Sequence, residues 1–356
     1  MTDRAEATDL VLKLKKALRI ISRKRSNHQI HRCILEQVTF AYMRDICMQL
    51  WNITSDTAVR SFVVEEFNGI ELMRDVIVSC DQSLKVCYDL LSNKRRRSYW
   101  MIGFRGINKV SRSDVQTIME VLEWCSFFAC GVMCNLTYDH DDDRILDMII
   151  RLDYLVPSIL KIMGASVDKL EVQCRGCWML FCLAHEIEGG KRLIQLGADR
   201  IIIQAMKRYP DTNIIQQEAT GCLWCLAESF GSTLTVLRMI EWSFYVLQSV
   251  CLLDENELVA RNSAGCIAHL TRLGGQTVVN TMLGQGCCEI MAGVYDRFKE
   301  NEEICRYTSQ VILNVSQATT PHVNFRPNKQ LSPSPVLSIM FDYDSKRRRM
   351  PRRSHV

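Results

Sequence analysis

Two cysteine pairs, Cys174/Cys177 and Cys222/Cys225, have the two-residue spacing that zinc knuckles and redox pairs use. They fall at different places in two otherwise parallel stretches, and both lie inside helical patterns, where cysteine serves as a small apolar residue. Asp139-His140-Asp141-Asp142-Asp143 gathers hard oxygen ligands but lacks the spaced ligands and turn glycine of a calcium loop. It reads as a solvated loop between helices. No nucleophile elbow and no glycine-rich phosphate loop occurs, so the chain is expected to be non-catalytic, with no cofactor and no metal. The strongest charge anomaly is the run 93–113, with seven Lys or Arg and no acid. Asn93, Lys94, Arg95, Arg96, Arg97, Trp100 and Arg105 lie in it, with Tyr99 and Phe104 interleaved. Cations neutralise phosphates and aromatic faces stack on bases, so RNA or an acidic protein could dock there; a solvated insertion accounts for the run equally well.

The whole chain carries a formal charge of only +4, which does not by itself imply nucleic acid. Seventeen cysteines, an odd number at irregular spacings, read as reduced thiols, so a cytoplasmic or nuclear location is expected. The opening Met1-Thr2-Asp3-Arg4-Ala5-Glu6 resembles neither a secretory signal nor a mitochondrial presequence, and no apolar run is expected to span a membrane. Five of the seven prolines lie beyond residue 320. Helix breakers are thus scarce in the body and concentrated in the tail.

The elements that hold these residues emerge from internal repetition. Val172 to Ala184, Ile215 to Ala227, Val259 to Thr271 and Ile304 to Ser316 share one template. Each starts on an aliphatic residue, has a small residue four on, and an aliphatic eight and eleven on, all on one helix face. Their ends lie 43, 44 and 45 residues apart. Ser126 to Thr137 and Met43 to Thr54 fit the template, and a weaker copy ends at Leu90-Leu91-Ser92. Between copies, Phe67-Asn68-Gly69, Leu196-Gly197 and Leu283-Gly284-Gln285-Gly286 supply glycines suited to tight turns. One unit therefore reads as a longer helix, a turn and a second helix. The pattern resembles armadillo repeats over residues 40–316. That resemblance implies an all-α, armadillo-like solenoid of about seven repeats. Residues 1–39 are then a basic amphipathic helix that caps the stack or lies on an acidic membrane or partner. Residues 40–318 are the solenoid, interrupted by the basic insertion 93–113. Residues 319–356 form a disordered basic tail ending in Lys346-Arg347-Arg348-Arg349, a candidate nuclear address or nucleic-acid contact.

If position 0 is the last residue of each copy, the arc opposite the template face holds positions −10, −6, −3 and −2. In an armadillo-like solenoid this arc would line the concave groove. The candidate groove residues are Trp51, Asn52, Asn135, Trp178, Trp224, Arg261, His269, Arg306 and Asn314. Asparagine amides suit an extended peptide backbone, and aromatics suit anchor pockets. Importin-alpha resembles this pattern, but its ladder of Trp and Asn one turn apart is broken here. Trp178 has Cys182 one turn on, and Asn135 has Gly131 one turn back. A general nuclear-import receptor is therefore set aside.

Residues 40–140 are similar to a smaller family, the Zyg-eleven and Zer-one substrate receptors of cullin-RING ubiquitin ligases. The similarity is carried by Leu50-Trp51-Asn52-Ile53-Thr54, Phe67-Asn68-Gly69-Ile70-Glu71-Leu72, Ser126-Phe127-Phe128-Ala129-Cys130-Gly131 and Leu136-Thr137. It implies a pocket of Trp, Asp, Asn and Glu for a small N-terminal residue. Trp51 matches the Trp, and Asn93 matches the Asn. The Asp falls on Ser55 beside Asp56, and the Glu falls near Arg96, whose charge repels a terminal ammonium. The family's leucine-rich and cullin-binding portions have no counterpart in this sequence. The expected function is a non-catalytic adaptor that grips an extended polypeptide in its groove, with ubiquitin-ligase subunits as implied partners. The alternative is an RNA- or phosphate-binding scaffold using the basic loop and the basic ends.

Overall fold

Apolar residues at helical spacing, with little proline to interrupt them, give an all-helical chain. The computed structural model describes residues 2–23, 29–92, 112–137 and 153–319, and among them there is no strand. They form two compact units, Met1–Ser166 and Val167–Val356.

The first unit contains α1 (Thr2–Arg23), α2 (Gln29–Ile53), α3 (Thr57–Phe67), α4 (Gly69–Ser92), α5 (Arg112–Thr137) and α6 (Leu155–Ala165). Helix α5 packs on both α2 and α4, so it is the central element. It is the one helix among the described residues long and apolar enough to cross a membrane, and most of it is buried inside the unit. Helix α1 packs on α2 and α3. Its apolar stripe (Leu10, Val11, Leu14, Ala17 and Ile21) is buried, which takes away the surface a membrane-bound helix would need. Asp56 caps α3, its Oδ1 accepting from Val59 N at 3.0 Å. The left-handed residue that ends α3 is Asn68 (φ 51°), not the neighbouring Gly69. Gly69 is required by close approach instead, since a Cβ there would lie 2.8 Å from Val63 O.

The second unit runs α7 (Leu170–Ala184), α8 (Ile187–Leu196), α9 (Ala198–Arg208), α10 (Asn213–Phe230), a 3-10 turn (Gly231–Thr233), α11 (Val236–Leu252), α12 (Glu257–Leu273), α13 (Gly275–Gly284), α14 (Cys287–Arg297) and α15 (Glu302–Thr319). The four late template copies are α7, α10, α12 and α15, and each packs on the next. Their aliphatic template residues, Leu180, Leu183, Leu223, Leu226, Ile267 and Leu270, are fully buried. Gly197 (φ 71°) and Gly286 (φ 79°) make the turns before α9 and α14. Buried Gln216 ties three elements together. Its Nε2 donates to Met206 O at 3.1 Å and Tyr209 O at 2.9 Å at the end of α9, and its Oε1 accepts from Ser249 Oγ of α11. Asp199 is buried and accepts from Trp242 Nε1 at 3.1 Å and Arg238 Nε at 2.9 Å, so its charge is matched where water is excluded.

Candidate functional site

Two contacts recur where one long helix stacks on the next, the first at three of the four such steps described and the second at two. The first seats an aromatic ring on a glycine. Trp51, at position −3 of its copy, covers Gly131, at position −6 of the next. Phe181 covers Gly221 in the same way, and Trp224 covers Gly265. A Cβ on these glycines would come within 2.2, 2.8 and 2.6 Å of the ring above, so only glycine fits. At the α12/α15 step position −3 is Ala268 and position −6 of the next copy is Gln310, so this contact does not form there. The second contact is an amide clamp. Asn135 Nδ2 donates to Trp51 O at 3.1 Å and Thr54 Oγ1 at 3.0 Å. Asn314 Nδ2 donates to Ala268 O at 3.0 Å and Thr271 Oγ1 at 3.0 Å. In both, the asparagine at −2 reaches the −3 carbonyl and the hydroxyl at 0 of the preceding copy. Where position 0 is Ala184 or Ala227, the facing −2 residue is Cys225 or His269, and the clamp is replaced.

These contacts correct part of the expected groove. Trp51 is only 4% exposed, enclosed by Phe127 at a ring distance of 5.6 Å, Phe128 at 6.1 Å and Gly131. It is core between α2 and α5 rather than an accessible anchor. Asn135 is buried, and the Asn314 amide is likewise spent on the preceding helix, so neither NH2 is available to a peptide backbone in this arrangement. The physical reason is that a stacked helix has two neighbours: the preceding long helix covers positions −6 and −2, and the following one covers position −3. Asn52, on the first long helix, is exposed. The pocket implied for a small N-terminal residue is affected too: Trp51 is enclosed, and Asp56 is engaged as a helix cap.

What stays accessible in the second unit is a stripe along the long helices, half-buried except for the exposed Arg306. Trp178 and Phe181 lie on α7, Gln217 and Trp224 on α10, Arg261 and His269 on α12, and Arg306 and Tyr307 on α15. Trp224 meets Tyr307 edge-on at 5.3 Å, with the Arg261 guanidinium over its ring at 5.9 Å. Arg306 stands over Tyr307 at 4.8 Å, and Glu303 lies 3.7 Å from Arg261 and 3.9 Å from Arg306. Alternating rings and cations of this kind suit extended polypeptide by stacking and by hydrogen bonding. At one edge, His269 lies 3.9 Å from Glu228 and 3.2 Å from Arg272. Burial lowers the His269 pKa, opposed by Glu228, so this ring tends to the neutral form. His185 lies against Phe181 with ring centroids 4.6 Å apart and the rings tilted by 55°.

The cysteine pairs are placed as the helical pattern implied. Cys177 and Cys222 are buried, and burial drives both thiols upward. Cys225 is pushed up to about 12 by burial, with Glu228 adding to the effect. Reactive thiols need the opposite shift. Among the described residues, no three His, Cys, Asp or Glu gather to hold a metal ion. The basic-loop candidates Asn93, Lys94, Arg95, Arg96, Arg97, Trp100 and Arg105 lie outside the described residues, as do Asp139 to Asp143 and the tail from residue 320. Sequence reasoning missed the buried Gln216, although Gln173 occupies the same place in the preceding copy and is also buried. No known protein family matches the chain, and no curated protein matches it either.

Proposed function

We propose that the chain is an armadillo-like helical-repeat solenoid of about seven repeats, acting in the cytosol or nucleus as a non-catalytic adaptor for an extended polypeptide. One observation carries this reading. The stacked helices α7, α10, α12 and α15 carry a stripe of half-buried side chains, Trp178, Phe181, Trp224, Arg261 and Tyr307, with the exposed Arg306 standing over the Tyr307 ring. The ubiquitin-ligase version of this reading, in which the bound segment is a substrate presented to a cullin-RING enzyme, rests on the sequence blocks of residues 40–140. To test the groove, peptides are selected from a display library on the purified full chain, and their footprint is read by hydrogen exchange. Trp178→Ala with Arg306→Glu should weaken the selected peptides by about tenfold or more, and protection should fall on α7, α10, α12 and α15. Peptides that protect other helices and ignore both substitutions would refute the groove.

A second reading, an RNA- or phosphate-binding scaffold, is supported by the seven cations and no acid of residues 93–113. Affinity for a single-stranded RNA should then fall steeply with salt and be lost when Arg95, Arg96 and Arg97 are changed to Glu. A salt-insensitive complex, or one indifferent to those changes, would exclude it.

A further inference from the structure

Three carboxylates are buried among the described residues, Glu123, Asp199 and Glu218. A buried carboxyl group needs a cation to answer its charge, or a proton to remove it. Asp199 has the Arg238 guanidinium, and Glu123 has the Lys161 ammonium at 2.7 Å. Glu218, 8% exposed, has no ion-pair partner among the described residues, and its hydrogen-bond donor is the neutral Gln217 amide at 3.1 Å. On the two long helices that flank α10, Arg175 pairs with Glu171 at 2.6 Å, and Arg261 stands over Trp224 and 3.7 Å from Glu303. On the shorter helices packed against α10, Lys191 is held by Glu188, Arg208 by Asp168 and Arg238 by Asp199.

This uncompensated carboxyl sits at the groove. Gln217, its chain neighbour, belongs to the accessible stripe. On α7 it faces the Cys174 and Cys177 thiols, and Cys174 is half-buried on the arc that carries the stripe. One turn after Cys174, on the same face, stands the half-buried Trp178 ring. An indole face and a carboxylate together receive a cation, the ring by its quadrupole and the carboxylate by a charge-assisted hydrogen bond. Two other rings of the stripe already carry a cation of the chain itself, Arg261 over Trp224 and Arg306 over Tyr307. Among the described residues, Trp178 has no such cation. We infer that Glu218 selects a basic side chain in the bound segment, a lysine or arginine that lies on the Trp178 ring and brings its charge to the Glu218 carboxylate. The inference rests on the groove reading and names the chemistry of its occupant. Burial keeps the Glu218 carboxyl protonated up to about 7 in the free chain. A docked cation stabilises the ionised form, so binding releases that proton. Affinity therefore rises with pH up to about 7 and levels off above it.

The test uses the full chain and three pools of peptides about ten residues long, alike except for one central position, which is Lys, Gln or Glu. The other positions are drawn from Ala, Ser, Leu and Tyr. At about pH 8 the Lys pool should bind about tenfold tighter than the Gln pool, with the Glu pool weakest, and the gap should close toward about pH 5. Titration calorimetry in buffers of different ionisation enthalpy should detect proton release near pH 6 with the Lys pool alone. Glu218→Gln keeps the shape, and its fold is checked by the helical signal. It should remove the gap, its pH dependence and the proton release together, while His185 and His269 still titrate. Trp178→Leu should narrow the gap by about threefold and leave its pH dependence in place. Hydrogen exchange locates the bound peptides. Protection on α7, α10, α12 and α15 without a preference for Lys, or with a preference that Glu218→Gln leaves unchanged, overturns this inference and keeps the groove. If no pool protects those helices, the groove reading falls and this inference falls with it.

Discussion

Replacing Glu218 with Gln should change how the stability of the second unit depends on pH. Glu218 is buried on α10 near Cys174 and Cys177 of α7, and Gln217 Nε2 donates to it at 3.1 Å. Burial dominates, and it raises the carboxyl pKa from 4.5 to about 7, with the Gln217 bond pulling the other way. Between those two values the folded chain holds a proton that the unfolded chain has released. Stability therefore falls as pH rises through that window, and the full penalty is present above it. One pKa unit corresponds to about 1.4 kcal/mol, so a shift of this size is an order-of-magnitude penalty of about 3 kcal/mol, reduced by the solvent that still reaches the group. Glu218→Gln keeps the shape and cannot ionise. Above pH 7 it should be more stable than the parent by about 1–3 kcal/mol, and near pH 5 the two should converge. Urea unfolding at pH 5, 6, 7 and 8, followed by the fluorescence of Trp178, Trp224 and Trp242, reads the difference directly. Parallel stability curves for parent and variant at every pH would show that Glu218 ionises in water, and the burial argument would fail.

Trp51→Ala should destabilise the first unit by about 3–5 kcal/mol, seen as a lower melting temperature, because the ring fills the step onto Gly131; a variant that melts with the parent would restore Trp51 to an accessible role. The Asn314 clamp should show coupling. Asn314→Ala and Thr271→Val should each cost about 1–2 kcal/mol, and their double-mutant cycle should be non-additive by at least about 0.5 kcal/mol, whereas additive losses would mean that the 3.0 Å bond contributes little in solution.

Much of the helical layout was legible because the template aliphatics recur at fixed spacing, and Leu180, Leu223 and Ile267 are indeed core. The face opposite them is only partly open: Trp178, Trp224, Arg261 and Arg306 are accessible on it, whereas Trp51 and Asn135 are covered. A helix treated alone has one buried arc and one free arc, and that logic put Trp51, Asn135 and Asn314 in solvent. A helix in a stack is covered from two sides, and the second side uses a rule that no single copy displays. It becomes readable only across copies, where an aromatic at −3 is followed by a glycine at −6 in the next, and a threonine at 0 by an asparagine at −2. The turn after α3 was missed for a local reason. Asn68 tolerates the left-handed conformation, which removes the need for Gly69 to supply it.

The amide clamp also bears on a pattern that has another meaning elsewhere. Asn52-Ile53-Thr54, Asn135-Leu136-Thr137 and Asn314-Val315-Ser316 all spell the acceptor triplet for N-linked sugar. In the folded chain, a glycan on Asn135 would have to leave through a buried helix interface and would take the nitrogen that donates to Trp51 O and Thr54 Oγ1. The triplet there is the imprint of a stacking rule: the asparagine serves the helix before it, and the Thr54 and Thr271 hydroxyls serve the helices after them.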